Sequence, residues 1–171
     1  MSYSEDLLSH ALFLLVRFDT PDGLGEVDLR RAVSACYYTV FHRLNSDAAT
    51  MLAPNVSSKT NHRIQRWFDH GEMKKICGRF LPAKLDHPLR DLIGESASPD
   101  LQTVALGFIQ LQDARHSADY DLSYALTEQI AWDIFEKATE TTEAWNRLKD
   151  SAEANIFILS LLTWKNSDKD R

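Results

Sequence analysis

Cysteine is scarce in this chain: Cys36 and Cys77 are the only two in 171 residues, far apart and each in apolar helical surroundings. That spacing excludes a disulfide framework and a paired-cysteine metal motif, and it predicts two buried thiols. Only six glycines and five prolines interrupt the chain. Extended apolar stretches are missing too, the longest wholly apolar run being residues 11–16. Such a run is far too short to span a bilayer, so no membrane partner is expected. Acidic residues precede it and no basic segment or small-residue cleavage site surrounds it, so no secretory signal is expected and the expected location is the cytoplasm. Gly-rich phosphate loops, GxSxG and HExxH are all lacking.

Positive charge is in deficit overall, with a formal net charge of -6. Affinity for a phosphate backbone comes largely from Lys and Arg, so broad nonspecific nucleic-acid binding is disfavoured. The average conceals a polarity. Between Lys59 and Arg90 stand eight Lys/Arg against three acids, and between Asp113 and Glu153 ten acids against four Lys/Arg. Two readings stay open: steering of an anionic ligand to one side, or complementary solvated faces.

What is present is helical period. At 44% hydrophobic and 26% charged, the composition is ordinary globular usage, and the length fits one domain, expected over residues 1–164 with a disordered tail at 165–171. A first helix is expected from about Ser4 to Phe18, started by the capping-box pair Ser2 and Glu5 and ended by the TPDGLG break. A long second helix runs from Glu26 to about Met51. Thr60 or Asn61 caps a third, whose pattern Gly71 interrupts before it resumes to about Leu81. Residues 81–97 hold Pro82, Pro88 and Gly94 and read as a long loop with one short turn, functional or mobile. Ser98-Pro99-Asp100 starts a fourth helix and Thr127 caps a fifth. The stretch 154–164 is apolar almost all round, so the body or a second copy must cover it. No strand-like alternation or repeat competes. The expected fold class is all-α, an antiparallel helical bundle of four to five main helices.

Two helices carry the chemistry. On the fourth, Leu101, Val104, Ala105, Phe108, Leu111 and Arg115 share one face, which puts a guanidinium on the inward side. It must be paired or must hold an anion. Asp119 lies four residues on and Tyr120 brings a hydroxyl, so this group either closes the helix end or forms a site. On the second helix, Val33, Tyr37, Val40, Phe41 and Leu44 form the core face. Arg31, Ser34, Tyr38 and His42 fall on a neighbouring line that suits a partner-helix interface or a ligand pocket. His116 and Asp119 have the i, i+3 relation of some helical metal ligands, but no second such pair exists, so neither metal nor other cofactor is expected.

RRAVSACYYTVFHRLN, residues 30–45, resembles the second helix of the HEPN superfamily, where smaller members have a Tyr-Tyr-x-x-Phe-His pattern. LQDARHSADYDLSYALT resembles that superfamily's Arg-x-x-Ala-Asp-Tyr segment and the capping Thr after it. TNHRIQRWF, around His62, is similar to the His-bearing start of its third helix. The three matches occur in family order and span roughly residues 26–148.

The resemblance implies a bundle that forms a homodimer, with the arginine motifs of two subunits facing across a cleft. It implies RNA or nucleotide handling: many members are toxins or defence proteins that cleave RNA without metal, and others bind nucleotides or pair with a nucleotidyltransferase antitoxin. On an endoribonuclease reading, Arg115, His116, His42 and His62 are the catalytic candidates, and Arg31, Ser34, Tyr38, Asp119 and Tyr120 hold the ligand. Catalytic members carry Arg, four to six residues, then His; here Tyr120, Asp121 and Leu122 stand at those positions after Arg115, and the nearest histidine directly follows the arginine.

Overall fold

The computed structural model describes residues 2–16 and 25–163. Phe18, most of the TPDGLG break, Trp164 and the tail at 165–171 lie outside the described residues. Those described contain eight α-helices and no strand, so the chain is all-α, with more helices than the four to five expected.

Local chemistry starts most of these helices. α1 (Tyr3–Leu15) opens with the predicted capping box, the Ser2 hydroxyl accepting from Glu5 N at 3.3 Å and Ser2 N donating to the Glu5 carboxylate at 2.7 Å. α2 (Glu26–Leu52) starts at the expected residue and ends one residue past Met51. α3 (Ser58–Gln65) is capped by Ser57, not by Thr60 or Asn61, because the Thr60 N–H is itself the group that needs an acceptor. α4 (His70–Arg79) is a separate helix. Its start is set by the Asp69 carboxylate, which accepts from Gly71 N and Glu72 N, both at 3.0 Å. Gly71 therefore lies inside a helix, and the interruption falls at 66–69.

The expected loop at 81–97 contains α5 (His87–Ile93), capped by Asp86 and ended at Gly94, whose φ of 102° suits a residue without Cβ. Leu85 and Leu89 are buried there, and Leu85 N donates to Glu95 O at 2.9 Å, closing the segment around its helix. Apolar anchoring outweighs the local breakers. α6 (Pro99–Tyr120), α7 (Glu128–Leu148) and α8 (Ala152–Thr163) follow. Ser98, Thr127 and Ser151 hydroxyls accept from backbone N–H groups in their first turns.

The contacts divide the chain into two compact units, with α2, α6 and α7 contributing residues to both. In the unit of residues 1–43 and 107–142, Leu14, Leu15, Leu29, Val33 and Ala131 are buried together, with Phe135 packed on them. Tyr37 on α2 meets Phe108 on α6 at 5.7 Å between ring centroids. Close approach of α6 and α7 depends on Gly107: a Cβ there would come within 1.9 Å of the Thr141 hydroxyl.

In the unit of residues 44–106 and 143–171, Phe157 packs edge-on against Phe80 at 5.1 Å and lies 6.2 Å from Trp145. The Trp145 indole N–H donates to the Asp47 carboxylate at 2.8 Å. α8 contacts α4 and α5, and its Ala154, Phe157, Ile158 and Leu161 are buried in this way without a second copy. Among the described residues no helix is long and apolar enough to cross a membrane.

Candidate functional site: the Arg115 cluster

Six of the nine candidate residues meet on two helices of the first unit. Ser34, Tyr38 and His42 stand four apart along α2, and Arg115, Asp119 and Tyr120 end α6. Ser34 reaches Asp119 and Tyr38 reaches Arg115, so as the α2 number rises by four the α6 number falls by four. That is the register of an antiparallel helix pair, and it brings i, i+4 faces together.

Asp119 is the hub. Its Oδ1 accepts from the buried Ser34 hydroxyl at 2.5 Å, and its Oδ2 lies 2.7 Å from Arg115 Nε. The Nε contact is an ion pair by distance; its N–H is not aimed at the carboxylate, and Nε makes no directed hydrogen bond. Arg115 Nη2 donates to the Tyr38 hydroxyl at 3.0 Å and reaches the Tyr120 hydroxyl at 3.5 Å. Both phenol rings also face the guanidinium carbon, 5.5 Å from the Tyr38 centroid and 5.3 Å from that of Tyr120. No hydrogen bond from Nη1 exists among the described residues.

Partial burial of the guanidinium works to lower the Arg115 pKa, but the facing Tyr38, Asp119 and Tyr120 outweigh it, and the pKa lies above the ordinary arginine value. The group is a permanent cation held between two aromatic hydroxyls and one carboxylate.

The histidines flank this group unequally. His42 stacks on Tyr38 with centroids 5.9 Å apart and meets Tyr3 edge-on at 5.0 Å. His116 is exposed and lies 5.1 Å from the Tyr120 ring. Arg31 is exposed, with no hydrogen bond to the cluster among the described residues. His62 belongs to the other unit, on α3, where with Ser58, Lys59, Arg63 and Arg66 it lines a concavity of about 430 Å³.

One residue escaped sequence reasoning. Arg30, not Arg31, is the α2 arginine that turns inward: its Nη1 donates to Ala118 O at 2.7 Å and Asp121 O at 3.1 Å, and its Nη2 to Tyr124 O at 3.2 Å. Glu26, one turn earlier, holds the same guanidinium at 2.7 Å. Its i, i+4 acid was the available signal. Arg30 gathers the carbonyls at the C-terminus of α6, where a cation also suits the helix dipole, and so steadies the segment that carries Asp119 and Tyr120.

Elsewhere the thiols are buried as expected, and burial pushes Cys36 up to about 12. Among the described residues no three His, Cys, Asp or Glu side chains are grouped so that they could hold a metal ion. No family model, no curated protein and no solved structure matches this chain.

Proposed function

We propose that this chain is a HEPN-like protein of the cytoplasm, acting as a homodimer that handles RNA or nucleotides through the Arg115 cluster. The observation that carries this reading is a partly buried guanidinium whose Nη2 is committed to two tyrosine hydroxyls while Nη1 is left for an anion. A phosphate docked there meets a cation and two phenols that can donate to its oxygens. Motif order along the sequence supports the family assignment, and the exposed apolar residues Tyr3, Leu12 and Phe13 on α1, with Val16 at its C-cap, support self-association.

In its catalytic form the reading is a metal-independent endoribonuclease of toxin or defence type. Arg115 stabilises the negative charge that develops on the phosphoryl oxygens, Tyr38 and Tyr120 orient the phosphate, and His42 or His116 moves the proton. In its second form the protein is a non-catalytic nucleotide-binding or interaction module partnered with a nucleotidyltransferase. The Asp119 ion pair favours this second form, since it already offsets the arginine's charge and Ser34 holds it in place.

The test is calorimetry with mono- and dinucleotides and incubation with structured and unstructured RNA in chelator, for the native chain and Arg115→Ala, with sedimentation at several concentrations. Ligand heat lost in the variant supports binding, and cleavage lost in the variant supports catalysis. No heat, no cleavage and a monomer at every concentration would sink both forms.

A further inference from the structure

We infer that the outward face of α3 is a second, separate contact for single-stranded RNA, built from Lys59, His62, Arg63 and Arg66 and ended by the exposed indole of Trp67. The inference rests on the preceding reading for the class of ligand, and on its own residues for the position. Numbers 59, 62, 63 and 66 follow i, i+3, i+4, i+7, one stripe of a helix, and all four side chains are exposed while Ile64 and Phe68 are buried. They line the same concavity of about 430 Å³.

Lys59, Arg63 and Arg66 make no ion pair or side-chain hydrogen bond among the described residues. Several cations elsewhere in this unit are engaged, Lys75 with Glu72, Arg79 with Asp86 and Arg147 with Asp100, whereas these three follow one another along a single stripe. A row of unneutralised cations on an acidic protein leaves a local field that attracts an anion. Arg66 is the C-cap of α3, seven residue steps beyond Lys59, about 10 Å at the helical rise and enough for a few successive phosphates.

Trp67 identifies the polymer. It is 66% exposed, directly after the last cation, and its neighbour Phe68 supplies the core contact instead. A flat aromatic at the end of a basic row offers a face on which an unpaired base stacks whatever its identity, and duplex RNA shows no such free face.

The test uses the full chain and a fluorescein-labelled oligouridylate, read by anisotropy over a salt series. The variant with Lys59→Ala, Arg63→Ala and Arg66→Ala together is expected to bind roughly tenfold more weakly at physiological salt, with a log–log salt slope shallower by about two. Arg63→Gln alone is expected to show about a third of that slope change. Trp67→Ala should weaken binding several-fold with the slope unchanged, and Trp67→Phe should restore it. All these side chains are exposed, and circular dichroism checks that the helices persist.

Native binding with no change in the triple variant overturns the inference. If in addition Arg115→Ala abolishes binding, the Arg115 reading stands alone. No binding by the native chain overturns this inference and removes RNA from the preceding one. Capture of phosphatidylserine vesicles with the oligonucleotide left free makes the face a membrane contact and overturns it too.

Discussion

The buried hydroxyl of Ser34 donates to the Asp119 carboxylate at 2.5 Å, joining α2 to α6 at the point where Arg115 is held. A hydrogen bond to a charged group is worth about 1.5–3 kcal/mol, so Ser34→Ala should destabilise the protein by roughly 2 kcal/mol in a urea titration. Arg115→Ala and Asp119→Ala should couple. A double-mutant cycle is expected to give an interaction of about 1 kcal/mol, tempered by the one-fifth exposure of both side chains. Zero coupling would mean that the pair does not hold the arginine in place.

Arg30 tests geometry against charge. Three backbone carbonyls converge on its two Nη atoms, an arrangement that needs a planar fork. Arg30→Lys keeps the charge and loses the fork. It should cost nearly as much as Arg30→Ala, about 2 kcal/mol, read from chemical denaturation. Full rescue by lysine would reduce the role to a helix-terminal charge.

Gly107→Ala is expected to destabilise although alanine is the better helix former. The propensity gain is about 1 kcal/mol, but the new methyl would overlap the Thr141 side chain and force α6 and α7 apart, at about 1–3 kcal/mol. Thr141→Ser removes the methyl but leaves the hydroxyl in the way, while Thr141→Gly in the Gly107→Ala background should recover packing. Thermal melts of the three variants decide the matter. A Gly107→Ala protein more stable than the native one would refute the close approach.

A small pH effect follows from Asp100. A hydrogen bond from the Arg147 side chain holds its carboxyl below the usual carboxylate range. A depressed acid contributes stability above its unfolded pKa and loses it as pH falls through the folded value. Arg147 is more than half exposed, so solvent screening limits the contribution to under about 0.5 kcal/mol. The gap in melting temperature between native and Asp100→Asn proteins should be present at neutral pH and vanish in acid, once the pH has fallen through the depressed folded value. A gap that widens in acid would contradict the sign.

Short-range signals made much of the fold legible. Ser2 with Glu5, Ser98 before Pro99, and Thr127 each start the helix expected of them, because a cap is a contact between residues two or three apart. Asp69 was hidden beside Gly71, since an aspartate cap and a helix-breaking glycine give opposite readings of one stretch. α5 was obscured by its prolines and glycine, and its stability comes from burying Leu85 and Leu89. Arg115, Asp119, Tyr38 and Ser34 were legible as a set because each lies on an i, i+4 line.

By itself, then, the sequence determined the all-α class, the starts of most helices and the stripe on each that is buried, all of them consequences of spacing along one chain. Tertiary structure alone decided that Ser34 meets Asp119 and that Arg30, not Arg31, turns inward. Adjacent helical residues differ by about 100° in direction. Which of them faces α6 depends on how the antiparallel pair is rotated and registered, and packing between distant segments sets that rotation.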